Sequence, residues 1–176
     1  MIRSWGLQTL TGNAQPMFGD VLTAAFSNIK GEPHGFYLVS VAKAANYQIG
    51  DRIILGFGGA TPTNCLMVGK VNTSTNILSC ISEGDAPVAN WANGTQIVLS
   101  VACAAIRLNA PATNAGNIWE GSDNTVTNVG GGSAFQEIFP SGSDTFGIPQ
   151  WNTIRTSDLW IAGTLSDKAG IAAIIV

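Results

Sequence analysis

The residues best suited to chemistry crowd into NIWEGSDNTVTNVGGGSAFQEIF, residues 117–139, where Glu120 and Asp123 flank Gly121-Ser122 and Gly130-Gly131-Gly132 precedes Ser133. Carboxylates so spaced could open a calcium loop, and a glycine triplet could cradle phosphate. A calcium loop needs further oxygen ligands at alternating positions, as in D-x-[DN]-x-[DN]-G, and EGSDNT supplies too few. A phosphate loop needs a lysine and a helix start, whereas SAFQEIF after the triplet reads as a strand. The stretch therefore reads as a run of turns, with GSDN a hairpin and the glycines a loop tip.

Other candidates thin out in the same way. Glu83 and Asp85 lie two apart in SEGD and would share one face of a strand, the placement needed for acid–base work on a glycoside. Such a pair works only if burial keeps one carboxyl protonated, and only Gly84 and Ala86 adjoin it, so a solvated bend is the simpler reading. His34 is the sole histidine, set between Pro33 and Gly35, and no G-x-S-x-G elbow accompanies it. Metal sites draw on several His or Cys ligands. Cys65, Cys80 and Cys103 are far apart and flanked by apolar residues, which predicts buried thiols. No catalytic residue, cofactor or metal is expected.

The elements that would position these residues are strands. Helical periodicity is nearly absent, and short runs of Val, Ile, Leu and Phe alternate with turn residues every eight to twelve positions or so, the pattern of an all-β protein. Strands are predicted near 17–26, 35–43, 52–57, 65–72, 76–82 and 95–106, then near 116–120, 124–129, 134–139, 144–148, 157–163 and 170–176. Gly50-Asp51 marks a turn before RIILGF, residues 71–78 read as a hairpin, and Asn93-Gly94 is the commonest tight-turn dipeptide. RLNAPATNAGN, 107–117, reads as a linker. The predicted organisation is an N-terminal arm (1–16), a small β-barrel module (17–106), that linker, and a small antiparallel β-sandwich module (118–176). The aliphatic ending GIAAIIV makes sense only as a paired, buried strand.

Composition narrows the class of function. Charged residues make up 11% of the chain, against roughly 25% in an ordinary soluble domain. A surface of amides, hydroxyls and methyls lacks like-charge repulsion, so much of it is expected to face other protein. The net charge of −3 and eight scattered Lys and Arg residues argue against nucleic-acid binding. No apolar run is long enough for a membrane helix and no signal-peptide core opens the chain, which predicts a soluble protein made in the cytoplasm. Of five tryptophans, Trp119 and Trp160 fall in strands and read as core. Trp91 and Trp151 fall in polar loops, where local packing is expected before ligand contact. Trp5, with Leu7, Leu10, Met17 and Phe18, reads as an anchor for a partner surface, because interface anchors are rich in Trp.

The turn and strand signals together resemble modules of tailed-bacteriophage virion proteins. Gly50-Asp51, Val68 to Val71, Asn76 to Leu78 and Gly94 to Val98 are similar to a small β-barrel unit of such proteins. Ile118-Trp119 with Gly121, Thr125–Thr127, Ser141–Ser143 and residues 157–164 are similar to their terminal β-sandwich. The resemblance covers roughly residues 35–176. It implies a virion structural protein, best fitted as a head decoration (cement) protein on the outer capsid surface, partnered by the major capsid protein and by itself as a homotrimer. It carries over no catalytic residue. A tail-associated or receptor-binding component touching host glycan is the alternative, with a glycan hydrolase using Glu83 and Asp85 third.

Overall fold

The computed structural model describes residues 1–26, 36–56, 64–82, 89–147 and 154–176. The chain is all-β, with no α-helix among the described residues. Its strands are β1 (Ile2–Thr9), β2 (Gln15–Pro16), β3 (Gly19–Val21), β4 (Phe36–Ser40), β5 (Arg52–Leu55), β6 (Cys65–Asn72), β7 (Ile77–Ser82), β8 (Gln96–Ser100), β9 (Ala102–Asn109), β10 (Ile118–Gly121), β11 (Ala134–Ile138), β12 (Ser143–Gly147), β13 (Ile154–Arg155), β14 (Trp160–Gly163) and β15 (Lys168–Ile175). Single 3-10 turns occur at Ala44–Asn46 and Thr156–Asp158. The strands form several antiparallel sheets, none closed into a barrel.

The chain divides into two compact units, one made of Met1–Phe18 with Val101–Val176 and the other of Gly19–Ser100. The second is thus an insertion in the sequence of the first. The two-segment unit holds a sheet ordered β1-β15-β9-β12, with β13 also on β9, and a sheet ordered β11-β10-β14-β2. Strand β15 alternates as a strand with one buried face should: Ala169, Ile171 and Ala173 are buried, and Ile174 is exposed. It lies between β1 and β9, so the aliphatic terminus is paired on both sides. In the other sheet, Ile118 of β10 and Ile161 of β14 are fully buried.

Three expectations are corrected here. Residues 1–16 are not a separate arm: β1 runs antiparallel to β15 from Ile2↔Ile174 to Thr9↔Lys168, and β2 pairs with β14. The polar residues Gln8 and Thr9 masked this strand, because only one of its faces is buried. The run 95–106 is not one strand but breaks at Val101. There the Thr156 backbone N–H donates to Val101 O (3.0 Å), and the Val101 N–H donates to Thr156 Oγ1 (2.9 Å). The boundary falls inside the apolar run IVLSVACAAI, where Ser100 is the sole polar residue and periodicity carries little signal. The segment 107–117 is not a free linker either: β9 continues to Asn109, and the rest is pinned by two buried side chains. Asp167 accepts the Ala115 and Gly116 N–H groups (2.8 and 2.9 Å), and Asn114 Nδ2 donates to Lys168 O while its Oδ1 accepts the Lys168 N–H (2.8 and 2.9 Å).

Among its described residues the inserted unit forms one open six-stranded sheet, β3-β8-β5-β6-β7-β4. One face buries Ile53, Leu55, Leu66, Val68, Leu78, Cys80, Ile97 and Leu99. Ile54, Cys65 and Val98, which share a register row on the opposite face, form a second buried cluster. The turn before β5 has the anticipated chemistry. Gly50 takes φ +90°, a conformation costly for any other residue, and the Asp51 carboxylate accepts the Gln48 N–H at 2.7 Å. Beyond β3 and β4, the sheet's two edge strands, a single bridge joins Leu22 to Val41.

Candidate functional site

The stretch 117–139 contains β10, a loop of turns and β11. No strand forms at 124–129, contrary to expectation, because local side chains satisfy the backbone there. Asp123 Oδ1 accepts both the N–H and the Oγ1–H of Thr125 (2.8 and 2.6 Å), and Thr125 Oγ1 in turn accepts the Ser133 N–H (3.0 Å). Those bonds hold the exposed Asp123 carboxyl below its usual range, the Thr125 side chain contributing most. Packing accounts for two glycines of the triplet. A Cβ at Gly130, at φ +78°, would stand 2.6 Å from the Trp119 ring, and one at Gly132 would collide with Thr125 O.

The acid of this stretch that matters is Glu120. It is 0% exposed, and neither carboxylate oxygen has a hydrogen-bond partner among the described residues. Strand alternation explains the placement: Ile118 and Glu120 share the face of β10 opposite Trp119, which packs with Val126, Trp160 and Ala162. Across the register, Glu120 lies opposite Ile161 of β14 and Gln136 of β11. Burial, and secondarily the Asp144 carboxylate on β12, pushes the Glu120 carboxyl up to about 8. The alternation in IWEG was the available signal, and reading Glu120 only as a partner of Asp123 missed it.

The five residues expected to anchor a partner divide. Leu10, Met17 and Phe18 are buried within the chain, at 1%, 0% and 2% exposure, and present no surface. Trp5 is half-buried, its ring 4.0 Å from that of Phe18 and beneath the Arg3 guanidinium at 4.7 Å. Its indole serves internal packing. Leu7 alone is exposed, at 59%. It has company that the sequence did not predict. A bulge between Ser4 and Gly6 resets the register, so Ile2, Ser4 and Leu7 oppose Ile174, Ala172 and Gly170 on one face of the β1-β15-β9-β12 sheet. Ile2 and Ile174, direct cross-strand partners, are 77% and 47% exposed.

Elsewhere the thiols lie in the interior. All three cysteines are buried and none is in a disulfide, and burial pushes Cys80 up to about 12 and Cys103 to about 11. Trp91 packs on Gly56, and its backbone bridges Phe26. Trp160 is buried, as expected of core. His34, Glu83, Asp85 and Trp151 lie outside the described residues. Among the described residues no group of three or more His, Cys, Asp or Glu could hold a metal ion, and no helix is long and apolar enough to cross a membrane. No family model, curated protein or solved structure matches the chain.

Proposed function

We propose that this protein is a structural component of a tailed-phage virion, a head decoration protein that binds the outer face of the capsid as a homotrimer and bridges major capsid subunits. In this reading the open sheet of the inserted unit, with the Leu22–Val41 bridge beyond its edge strands, serves as a barrel-like module, and the two-segment unit is a sandwich of its two sheets. The observation that carries the proposal is the exposed aliphatic row Ile2, Leu7 and Ile174 beside the edge strand β1. An apolar row on an edge strand is a liability for a free monomer and a resource for one that is covered. The low content of charged groups and the sequence resemblance to virion β modules point the same way. Its work would be mechanical: each bound copy favours the assembled shell by mass action, and attachment of several linked copies multiplies the effect. No catalysis is involved.

The test uses the full chain and expanded, undecorated capsids of the parent phage. Stoichiometric occupancy, a raised capsid melting temperature and a trimer mass by sedimentation are expected. The double substitution Ile2→Asp, Leu7→Asp should abolish occupancy while circular dichroism stays unchanged, because both side chains already face solvent. Failure of the unmodified chain to bind capsids, or unchanged occupancy for the double variant, overturns the proposal.

A further inference from the structure

We infer that the unit built from Met1–Phe18 and Val101–Val176 carries a proton-operated lock: Glu120 must be neutral for the sheet β11-β10-β14-β2 to keep its inner face dry, and loss of that proton as pH rises loosens this unit. The geometry is specific. Glu120 occupies a core position on β10 with Ile118, opposite Ile161, with no exposed surface and no hydrogen-bond partner on either oxygen. A carboxylate there would lack both water and a compensating donor, an arrangement costly enough that the group holds its proton instead.

The charged groups on the surrounding elements offer no counter-charge. From β12, Asp144 pairs with the buried Leu108 and repels a second negative charge. Glu137 of β11 pairs with Trp119, so it lies on the opposite face of the sheet, where Asn117 Nδ2 donates to it. Arg107 of β9 pairs with Ala172 and Thr145 on the far side of its sheet and donates to Ser143 Oγ (3.4 Å). Lys168 of β15 donates from Nζ to Thr9 Oγ1 (2.6 Å), Arg3 of β1 lies over Trp5, and Asp158 closes the turn beside Arg155 of β13. Asp123, in the loop after β10, is bound to Thr125. Strands β2 and β14 contribute no charged residue.

The direction follows from linkage. A carboxyl whose folded-state value is raised leaves the unit at full stability below the unfolded value, and stability falls as pH climbs toward the folded value near 8, then levels off. The loss of stability therefore spans the range from about pH 4.5 to about pH 8 and is complete on the alkaline side of it.

Two measurements on the full chain test it. In urea unfolding from about pH 4 to about pH 9, the midpoint of the wild-type unit should fall with rising pH, and that of Glu120→Gln, neutral at every pH, should lose that fall. Parallel profiles for the two proteins overturn the inference. The second needs no variant: with 13C-labelled glutamate carboxyls, one of the chain's four glutamates should titrate far above the others. Four ordinary titrations overturn the inference even if Glu120→Gln fails to fold.

Discussion

Asp20 and Glu120 are both acids on strands, and the chain treats them in opposite ways. Asp20, on β3 of the inserted unit, accepts hydrogen bonds from the backbone N–H groups of Val21, Ala42 and Lys43 (2.8, 3.2 and 3.0 Å) and from the Tyr47 hydroxyl (3.3 Å). Its charge stitches β3 to the chain that follows β4, near the Leu22–Val41 bridge. Burial and the Asp20 charge, in that order, push the Tyr47 hydroxyl well above its ordinary value, so Tyr47 remains a donor. Glu120, in the other unit, has no donor at all. A carboxyl met by several donors ties strands together, whereas a buried one with neither donor nor water is tolerated only as a neutral acid.

That contrast can be broken or sharpened by substitution. The largest effect belongs to Glu120. At about 1.36 kcal/mol for each pH unit between the unfolded and folded values, ionisation withdraws up to roughly 5 kcal/mol from its unit by about pH 8. Glu120→Gln should recover a large part of that at high pH and little at low pH, read by urea unfolding at the two extremes. Asp20→Ala should destabilise the inserted unit by about 2–3 kcal/mol, since several charge-assisted bonds vanish together. Hydrogen exchange of the Val41–Lys43 amides reports it, and unchanged protection there would show that Asp20 is not the tie. Asp167→Ala comes next, at about 2 kcal/mol, because it frees the Ala115 and Gly116 N–H groups. Faster exchange confined to 110–117 is the expected signature.

Asp123→Ala should do least. Its carboxyl is fully exposed and held below its ordinary value chiefly by Thr125. Whatever stability it adds is present above the unfolded value and is lost as pH falls through the lower folded value, the reverse of the Glu120 profile. Solvent screens such a charge, so the substitution should leave the urea midpoint unchanged at neutral pH and alter only the order of the 122–133 loop.

Most strands were legible because each records its environment in its own alternation. Strands β4 to β7 and β10 to β12 lie within a few residues of the predicted runs, and the Gly50 turn has the positive φ its residue type requires. The strands that escaped are those whose pairing is remote. Strand β1 looks like a polar arm until β15, at the other end of the given sequence, supplies its partner. The same distance effect misassigned Leu10, Met17 and Phe18, since an apolar side chain near a terminus reads alike whether its cover is a partner or its own chain.

The amino-acid order by itself determined that this chain is β-structured, poor in charge, stocked with buried thiols, and turned by glycine and asparagine at fixed points, because period, turn chemistry and composition are local properties. Only the tertiary structure decided that the two ends of the chain form adjacent strands, that the division between units cuts through IVLSVACAAI, and that Glu120 faces isoleucine while Asp20 faces amides. The reason is physical: the free energy of a carboxyl is set by what surrounds it within a few ångströms, and here those neighbours are distant in sequence.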